Sequence, residues 1–456
     1  MQATISPGHF SETLRIPASK SHTIRRLILA ALGEGVSAID YPLDSLDARS
    51  CLSVCRALGA EIAERRADYP GCPNPADGEG KRLVGWTVRG FGAETGGGMK
   101  GSGTTPLDVG NSGTTLFLVL AAAALGDVPV TFTGDEQIAR RSAGPLLDAL
   151  SGLGIAVESA PGGCVPITVR GPWKGGRVSI DCPTSQYLSA LLLAAPLAPA
   201  GTVTEIDVAL LNEKPYIEMT LSYLKAQGIP FQDTEDFSRF SIPGGARYRP
   251  MNGPVPGDFS SAAFPGGIAA ITGGPVTLLG LDREDTQGDK AFFDMLSEMG
   301  CAVEWSRNLQ RSTNTNPVEW SLTVSRTGPL RGGEFDLNAT PDLLPMMAVT
   351  AAYAEGDTAL VNVAHARIKE TDRITVMAEE LGKLGVRTTE RPDGLIIHGN
   401  GAKGLTGGQV DGRGDHRIVM ALAAGALGAA GPVEIAAAES AAVTYPGFLE
   451  MLGAIS

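Results

Sequence analysis

Two patterns of hydrophobic and polar positions alternate along the chain. The first is an amphipathic helix that ends in Gly and is followed by a strand-like segment; its last copy is truncated. The copies are Asp47–Glu64, Ser142–Ser159, Pro215–Asp233, Gly288–Trp305, Arg373–Glu390 and Tyr445–Ser456. Because Gly readily adopts the left-handed conformation that ends helices, we expect each helix to end at its turn glycine. These glycines are Gly59, Gly154, Gly228, Gly300, Gly385 and Gly453.

The second pattern is a very apolar helix rich in Ala and Leu, followed by a Gly turn and a β-rich run. Its copies are Arg25–Pro42, Phe117–Gly134, Leu188–Ile206, Ala262–Gly280, Leu344–Val363 and Ile418–Ala438. These helices carry almost no charge on any face, which predicts that they are buried on all sides. The amphipathic helices of the first pattern are expected to lie outside them.

Six copies of each pattern in alternation predict six α/β units. Dividing the 456 residues by six leaves about 76 residues per unit, enough for two helices and a small sheet. A solenoid is the alternative, but solenoid repeats usually span about 20–50 residues. We therefore expect three units per domain, with apolar helices inside and sheets outside. Residues Tyr69–Asp108, which include the Gly-rich segment Gly96–Gly103, lack apolar periodicity and are expected to form a surface insertion.

Composition narrows the class of protein. Hydrophobic residues make up 43% of the chain and charged residues 19%, as in soluble globular proteins. The net charge is −13, from 37 Lys and Arg against 50 Asp and Glu, which disfavours nucleic acid and anionic membranes as partners. The apolar runs are shorter than a membrane span, and the first residues show no secretory signal.

Cysteine and histidine usage argues against a metal site. The six cysteines form no C-x-x-C pair, and the five histidines form no H-E-x-x-H motif. Cys51 and Cys55 are four residues apart in an apolar helix, where burial in the core explains them better than metal binding. We therefore expect no bound metal and a reducing, cytoplasmic environment.

Hydroxyl, amide and cationic side chains stand where many of these helices begin. The N–H groups of a first turn and the helix dipole favour an anion at such a position. Capping by Ser, Thr or Asp explains any one of these motifs alone. Together, in an acidic protein, they indicate a binding site for polyanionic ligands. The motifs are Ser19–Arg26, Asn111–Thr115, Pro183–Gln186, Gly257–Ser261, Lys369–Arg373 and Gly414–Arg417.

Ten segments in chain order carry a resemblance to a known family. They are IPASKSHTIRRLILAAL, VGNSGTT, GDEQIARR, TSQYLSALLLAAPLA, KPYIEMTL, GDFSSAAF, TPDLLPMMAV, ARIKETDRI, GDHRIVMAL and TYPGFLEML. In this order and spacing, the chain resembles the 5-enolpyruvylshikimate-3-phosphate (EPSP) synthase family from end to end. The resemblance implies an α/β enolpyruvyl transferase fold, a two-domain inside-out α/β barrel of six βαβαββ units with three units per domain. It implies one domain of residues 1–18 plus 256–456 and another of residues 19–255, with crossings near Pro17–Ser19 and Val255–Asp258.

The resemblance also implies a reaction. A hydroxyl of shikimate 3-phosphate adds to C2 of phosphoenolpyruvate while C3 is protonated, and the adduct then loses phosphate to leave an enolpyruvyl ether. This chemistry needs cations for a carboxylate and two phosphates, a base for the hydroxyl and an acid for the methylene carbon. It needs no metal and no organic cofactor. The expected protein is a cytoplasmic monomer of aromatic amino acid biosynthesis that binds these two small molecules, and neither nucleic acid nor membrane.

The resemblance implies site residues position by position. Asp342 is expected to be the base on the acceptor hydroxyl and Glu370 the proton donor to the methylene carbon, while Lys20 assists proton transfer with the leaving phosphate. The expected acceptor-binding residues are Lys20, Ser21, Arg25, Thr184, Ser185, Gln186, Tyr216, Asp342 and Lys369. The expected phosphoenolpyruvate-binding residues are Lys20, Gly113, Arg141, Gln186, Arg373 and Arg417.

Some of these residues have a simpler interpretation. Asp342 follows Pro341 and could cap the next helix. Glu370 and Arg373 are three residues apart and could form a surface ion pair on one helix. His416 could be a structural histidine and not a ligand contact.

Three positions depart from the pattern of the family. Glu213 stands where the family usually has a Ser that contacts the acceptor phosphate, and a carboxylate there is repulsive unless it is turned away or neutralised. Val443 stands where the family has a Lys that contacts phosphoenolpyruvate, and Phe117 replaces a usual Arg. Two alternatives stay open: a related enzyme for another acceptor, for example an unphosphorylated one, and a binding protein without turnover. The related UDP-N-acetylglucosamine enolpyruvyl transferase uses a loop Cys that residues 137–142 lack.

Overall fold

The computed structural model describes residues 1–92, 105–308 and 319–453. The chain divides into two compact units. The unit that holds both chain ends, here called the terminal unit, comprises Met1–Ser19, Pro70–Pro75 and Pro256–Ser456. The other, here called the middle unit, comprises Lys20–Tyr69 and Ala76–Val255. These units differ from the expected domains at Ser19 and over residues 70–75, both of which were expected in the domain of residues 19–255.

Short strands and helices alternate along the chain. The strands are β1 (Gln2–Ile5), β2 (Thr13–Arg15), β3 (Val36–Asp40), β4 (Glu61–Ala67), β5 (Arg82–Arg89), β6 (Leu107–Asp108), β7 (Val130–Thr133), β8 (Ala156–Ala160), β9 (Cys164–Arg170), β10 (Gly176–Cys182), β11 (Val203–Leu211), β12 (Gln232–Asp233), β13 (Arg239–Pro243), β14 (Asn252–Pro254), β15 (Val276–Leu279), β16 (Ala302–Asn308), β17 (Glu319–Ser325), β18 (Leu330–Arg331), β19 (Glu334–Asp336), β20 (Ala354–Glu355), β21 (Asp357–Val361), β22 (Arg387–Arg391), β23 (Gly394–His398), β24 (Gly408–Asp411) and β25 (Val433–Ala436). The helices are α1 (Lys20–Leu32), α2 (Leu46–Ala57), α3 (Gly113–Ala123), α4 (Gly144–Gly152), α5 (Ser185–Ala194), α6 (Lys214–Gln227), α7 (Phe259–Thr272), α8 (Ala291–Glu298), α9 (Leu344–Ala352), α10 (Arg373–Lys383), α11 (His416–Ala426) and α12 (Phe448–Met451).

One strand order recurs in six sheets. In the middle unit the orders are β14-β3-β5-β4, β6-β7-β9-β8 and β10-β11-β13-β12. In the terminal unit they are β2-β15-β17-β16, β19-β21-β23-β22 and β24-β25-β1. The first two strands of each sheet are parallel and the remaining neighbours antiparallel, which is what a β-α-β crossover followed by a hairpin builds. The prediction of six α/β units, three in each half, is confirmed.

Three of these sheets take a strand from a distant part of the chain. β14 pairs with β3, so the end of the middle unit closes its first sheet. In the terminal unit β2 pairs with β15. β1 pairs with β25, so a strand near the N-terminus completes the sheet of the truncated last repeat.

The apolar helices form the cores of both units. Every residue of α3, α9 and α11 is buried, and α1, α5 and α7 are buried at most positions. In the terminal unit α7, α9 and α11 pack against one another, and in the middle unit α3 packs against α1 and α5. The burial predicted from their lack of charge is therefore confirmed. The other six helices, α2, α4, α6, α8, α10 and α12, correspond to the amphipathic copies.

The turn glycines that were predicted to end helices all have positive φ. Their φ values are 119° at Gly59, 90° at Gly154, 70° at Gly228, 103° at Gly300, 80° at Gly385 and 68° at Gly453. Gly228 is the C-cap of α6, and its N–H bonds to the carbonyls of Leu224 and Lys225. A side chain with a Cβ is disfavoured in this left-handed conformation, which explains the use of Gly.

The prediction of a surface insertion over Tyr69–Asp108 is wrong for part of that stretch. β5 runs through it between β3 and β4, and it buries Leu83, Trp86 and Val88. Pairing on both edges stabilises this strand, although the Gly, Pro and charged residues around it hide its alternation in the sequence. The Gly-rich segment Gly96–Gly103 lies outside the described residues.

Three further expectations concern membranes, metals and thiols. Within the described ranges, no helix combines the length and the apolar character needed to cross a bilayer. Across residues 1–92, 105–308 and 319–453, no group of three or more His, Cys, Asp or Glu side chains could hold a metal ion. All six cysteines are free, and Cys51 and Cys55 are buried, as predicted for core residues.

Candidate active site

The predicted residues of the middle unit lie mainly where the inner helices begin. Lys20 is the first residue of α1, Gly113 the first of α3 and Ser185 the first of α5. Ser112 and Thr184 cap α3 and α5 with their hydroxyl oxygens. The first turns of these helices therefore lie beside hydroxyl and cationic side chains, a combination that favours anions.

Lys20 is held by an acidic partner. Its Nζ lies 3.1 Å from Oδ2 of Asp47, a residue in the first turn of α2. The two side chains are 14% and 6% exposed, so water screens their attraction only weakly. The ion pair fixes the position of the ammonium group at the start of α1.

Arg25 is a buried cation held by neutral groups. Its guanidinium donates to Oγ1 of Thr220 at 3.0 Å and to Oγ of Ser189 at 3.3 Å. It also donates to the carbonyls of Ser21 and Tyr216, at 3.3 and 3.4 Å. Burial lowers the pKa of Arg25 to about 10, which leaves it charged at neutral pH. These contacts bring together three predicted acceptor residues.

Gln186, Gly113 and Arg141 form a second group in the middle unit. Gln186 Nε2 donates to Oγ1 of Thr114 at 3.2 Å, which joins the starts of α5 and α3. A Cβ added to Gly113 would overlap Nη1 of Arg141. The absence of a side chain at this position therefore leaves room for the guanidinium.

The carboxylate of Glu213 faces the predicted site residues. The residue is 2% exposed. Its Oε2 accepts from the N–H of Ser185 at 3.0 Å, from Oγ of Ser185 at 2.8 Å and from Oγ1 of Thr184 at 3.2 Å. The carboxylate is therefore not turned away from the start of α5: it stays an anion there, stabilised by hydrogen bonds from three neutral donors.

The other two departures from the family pattern, Phe117 and Val443, are apolar residues that supply no positive charge. Phe117 is 4% exposed, and its ring meets the edge of Tyr187 with 5.1 Å between the centroids. Val443 lies at the end of the 3₁₀ turn Ala438–Val443 and is half-buried. The cations for an anionic ligand must therefore come from other positions.

In the terminal unit, Asp342 lies between two arginines. It belongs to the 3₁₀ turn Pro341–Leu343, which leads into α9. Oδ1 accepts from Nη1 of Arg373 at 2.8 Å, and Oδ2 lies 2.7 Å from Nη2 of Arg417. The simpler interpretation of Asp342 as a helix cap is wrong, because α9 has no side-chain cap.

Arg373 binds three carboxylates at once. Besides Asp342, it donates from Nη2 to Oε2 of Glu370 at 2.6 Å and from Nε to Oδ2 of Asp415 at 2.8 Å. The side chain of Arg373 is 1% exposed, so the interpretation of Glu370 and Arg373 as a surface pair is wrong. Glu370 also precedes Asp372, the N-cap of α10, and so does not lie on that helix.

These contacts set the charges of the cluster. Burial favours the neutral form of Asp342, but Arg417 and two further cations, one of them Lys369, hold its pKa well below the usual value. Burial also opposes the charge on Arg373, but the surrounding carboxylates raise its pKa above the usual value. Asp342 and Arg373 are therefore both ionised at neutral pH.

A further carboxyl group, Asp289, is buried near this cluster. Its Oδ2 accepts from Oγ of Ser260, while no hydrogen-bond partner for its Oδ1 occurs among the described residues. Burial, reinforced by the charge of Asp342, raises the pKa of Asp289 to about 7. Asp289 can therefore carry or release a proton close to neutral pH.

Sequence reasoning did not single out Asp47, Asp289 and Asp415, which interact with the candidate residues Lys20, Asp342 and Arg373, respectively. Asp415 is the N-cap of α11, and its Oδ1 accepts from the N–H of Arg417 at 2.9 Å. Asp415 and Asp47 each stand at or near a helix start, where capping explains an acidic residue sufficiently. Only their second contacts, to Arg373 and Lys20, distinguish them from ordinary caps.

The arrangement suits ligands with several negative charges. In the terminal unit, a ligand carboxylate or phosphate can replace Asp342 on one of its arginines, since both kinds of anion fit a guanidinium. Asp342 would then lose part of the attraction that lowers its pKa and become a stronger base. In the middle unit, Lys20, Arg25 and Arg141 supply charge beside helix starts that favour phosphate.

Comparison with known proteins finds consistent similarity along the chain. The family model for EPSP synthase (3-phosphoshikimate 1-carboxyvinyltransferase) matches residues 6–452. A 3-phosphoshikimate 1-carboxyvinyltransferase of Acetivibrio thermocellus is 45% identical over 446 residues, which cover 97% of this chain and 95% of the relative. The structure of an EPSP synthase from Acinetobacter baumannii superposes with a TM-score of 0.78 at 26% identity, covering 99% of this chain and 97% of that one. The enolpyruvyl transferase NikO from Streptomyces tendae has a TM-score of 0.72 at 18% identity, with 100% and 98% coverage, and so shares the fold.

Proposed function

The chain belongs to the EPSP synthase family, and from this membership we propose that it transfers the enolpyruvyl group of phosphoenolpyruvate to a hydroxyl of shikimate 3-phosphate and releases phosphate. One observation carries this conclusion: a relative named for that transfer is 45% identical over 97% of this chain. The reaction belongs to the shikimate pathway, and its product serves the synthesis of aromatic amino acids.

Phosphoenolpyruvate is proposed to bind to the six residues that the family pattern assigns to it. In the terminal unit, Arg373 and Arg417 each bind an oxygen of the Asp342 carboxylate, and the single carboxylate of phosphoenolpyruvate can bind a guanidinium in the same way. In the middle unit, Arg141 lies against Gly113, and Lys20 and Gln186 stand at the starts of inner helices. These six residues are the proposed phosphoenolpyruvate set.

Asp342, Glu370 and Lys20 are proposed to move the protons of the reaction. Asp342 is ionised and so can accept the proton of the acceptor hydroxyl. It becomes a stronger base when an anionic group of the substrate replaces it on one of its two arginines. Glu370 is proposed to protonate the methylene carbon. For this step Glu370 must carry a proton, and the carboxylate left after the transfer is stabilised by Arg373, whose Nη2 lies 2.6 Å from Oε2. Lys20, which Asp47 holds in place, is proposed to assist proton transfer with the leaving phosphate.

The acceptor is proposed to bind mainly to the middle unit. Arg25, together with Ser21 and Tyr216, forms one connected group, and Thr184, Ser185 and Gln186 begin α5. Lys20, Asp342 and Lys369 complete the proposed acceptor set. Hydroxyls, N–H groups and a buried cation are the donors that a phosphate monoester and its alcohol groups require.

The function is tested by the release of inorganic phosphate from phosphoenolpyruvate. We expect release that depends on shikimate 3-phosphate, with one enolpyruvyl ether formed per phosphate. Shikimate without its phosphate is the matched acceptor control and should support far less turnover. Release with shikimate but not with shikimate 3-phosphate would favour an enzyme for another acceptor.

The two alternatives drawn from the sequence are not favoured by the relatives. An enzyme for another acceptor and a binding protein without turnover were suggested by Glu213, Val443 and Phe117. The relatives match along the whole chain and carry the name of the transferase. Calorimetric binding of phosphoenolpyruvate without turnover of any hydroxyl acceptor would revive the second alternative.

Gly113→Ala is expected to weaken phosphoenolpyruvate binding. The added Cβ would displace the guanidinium of Arg141. Loss of a charge-assisted hydrogen bond costs about 1.5–3 kcal/mol, so KM for phosphoenolpyruvate should rise about 10-fold or more. Steady-state kinetics with the acceptor saturating measures this change. The control is Gly78→Ala in the same unit, where an added Cβ meets no atom within 4 Å. An unchanged KM in Gly113→Ala would contradict the placement of Arg141 in the phosphoenolpyruvate set.

We propose that the enzyme acts in the cytoplasm as a monomer. Six free cysteines suit a reducing compartment. All residues proposed for both substrates come from this one chain. Sedimentation equilibrium tests the oligomeric state, and fractionation of cells tests the compartment.

A further inference from the structure

The start of α5 resembles an occupied anion site. Three donors converge on one oxygen of Glu213: the N–H and hydroxyl of Ser185 and the hydroxyl of Thr184. A backbone N–H from a first turn together with neighbouring hydroxyls is the donor set that helix N-termini present to phosphate. In this structure the anion is a carboxylate of the same chain.

The backbone at Glu213 is held in an unfavourable conformation. Its φ and ψ are 59° and 42°, in the left-handed region. Residues with a Cβ adopt this region rarely, because the Cβ approaches the following carbonyl oxygen. Contacts of the side chain must therefore compensate for the backbone, and the donors at the start of α5 provide them. If the carboxylate leaves those donors, the strain at the start of α6 is free to relax.

The carboxylate also contributes to the charge balance around Arg25. The guanidinium of Arg25 is buried, and burial lowers its pKa; the charge of Glu213 is one of the contributions that oppose this shift. An incoming phosphate would carry at least one negative charge to the same region. Two anions cannot share the three donors without strong repulsion in a buried setting.

We propose that the Glu213 carboxylate closes the acceptor-phosphate subsite of the free enzyme and must leave it before a phosphorylated acceptor binds. This inference rests on the proposed function, which assigns Thr184 and Ser185 to the acceptor. Glu213 is then a specificity-determining residue: it selects for acceptors whose phosphate binds strongly enough to displace it, and it excludes inorganic phosphate from the empty subsite.

The test is Glu213→Gln, which keeps the shape of the side chain and an oxygen that can accept hydrogen bonds, but removes the charge. We expect KM for shikimate 3-phosphate to fall about 10-fold, because a neutral acceptor of hydrogen bonds is displaced more easily than a charged one. The change should appear in KM and much less in kcat. Inorganic phosphate should become a competitive inhibitor against the acceptor.

Glu218→Gln is the matched control. Glu218 is an exposed carboxylate on the same helix, α6. Its removal changes the net charge by the same amount and should leave the KM for the acceptor and the effect of inorganic phosphate unchanged. An effect of equal size in both variants would assign the change to long-range charge and overturn the proposal.

The outcomes separate this inference from the function on which it rests. If the wild type releases no phosphate with shikimate 3-phosphate, the proposed function fails. If the wild type is active and Glu213→Gln leaves the KM for shikimate 3-phosphate unchanged or raises it, only the present proposal fails. The carboxylate would then have a structural role, holding the start of α5 in position. If Glu213→Gln does not fold, Glu213→Asn is the second variant, because Asn tolerates the left-handed region. Failure of both variants to fold would make Glu213 a determinant of folding and overturn the proposal.

Discussion

Asp342→Asn should lower kcat by about 10²–10⁴-fold, the range that a positioned general base contributes. Asn has nearly the same size as Asp and keeps an oxygen that can accept from Arg373 or Arg417. It cannot accept the proton of the acceptor hydroxyl. The measurement is steady-state phosphate release with both substrates saturating, so that a change in binding does not appear as a change in rate.

Asp393→Asn is the control for this experiment. Asp393 is an exposed carboxylate between β22 and β23 of the terminal unit. Its replacement should leave turnover at the level of the wild type. Turnover of Asp342→Asn within a few-fold of the wild type, in a protein with normal thermal unfolding, would show that another group is the base.

Arg373→Gln should lower the free energy of unfolding by about 3–5 kcal/mol at neutral pH, as expected when one member of a buried ion cluster is removed. Arg373 is almost completely buried and binds the carboxylates of Asp342, Glu370 and Asp415. Without the guanidinium, these carboxylates repel one another in a poorly solvated setting. Urea unfolding, followed by far-UV circular dichroism, measures the loss.

The loss of stability in Arg373→Gln should shrink as the pH falls. In the wild type, the pKa of Asp342 lies below its unfolded value of about 3.9, so its stabilising contribution is present above that value and is lost as the pH falls through the folded pKa. In the variant, Asp342, Glu370 and Asp415 lose the guanidinium. Because of this loss, their pKa values should be higher than in the wild type. Their penalty is therefore present at neutral pH and is relieved when they take up protons in mild acid. A difference between variant and wild type that stays constant down to about pH 4.5 would contradict this account.

Arg177→Gln is the control for the effect of removing a guanidinium. Arg177 binds Asp207 at the surface, at 2.6 Å, with 55% of its side chain exposed. Water already screens this pair, so the unfolding midpoint should remain close to that of the wild type. A large shift in this control would show that the loss in Arg373→Gln does not depend on burial.

Much of the fold could be predicted because its signals are local. The lack of charge on the inner helices predicted their burial, and the turn glycines marked helix ends that all have positive φ. β5 escaped prediction, since Gly, Pro and charged residues flank a strand whose burial comes from pairing with β3 and β4. The contribution of β1 to the last sheet also escaped, because its partner β25 is at the other end of the chain.

The sequence by itself determined the six repeated units and, through resemblance, most of the candidate site residues, since both are carried by patterns of neighbouring residues. The tertiary structure decided which charges meet. Asp342 could have been a cap, but its contacts with Arg373 and Arg417 make it an ionised group at the centre of a cluster. Glu213 was expected to repel an anion, and only the structure shows that its carboxylate occupies the donors at the start of α5. Side chains that are distant in sequence converge on one carboxylate oxygen or one guanidinium only after folding. Patterns of neighbouring residues therefore cannot predict these contacts.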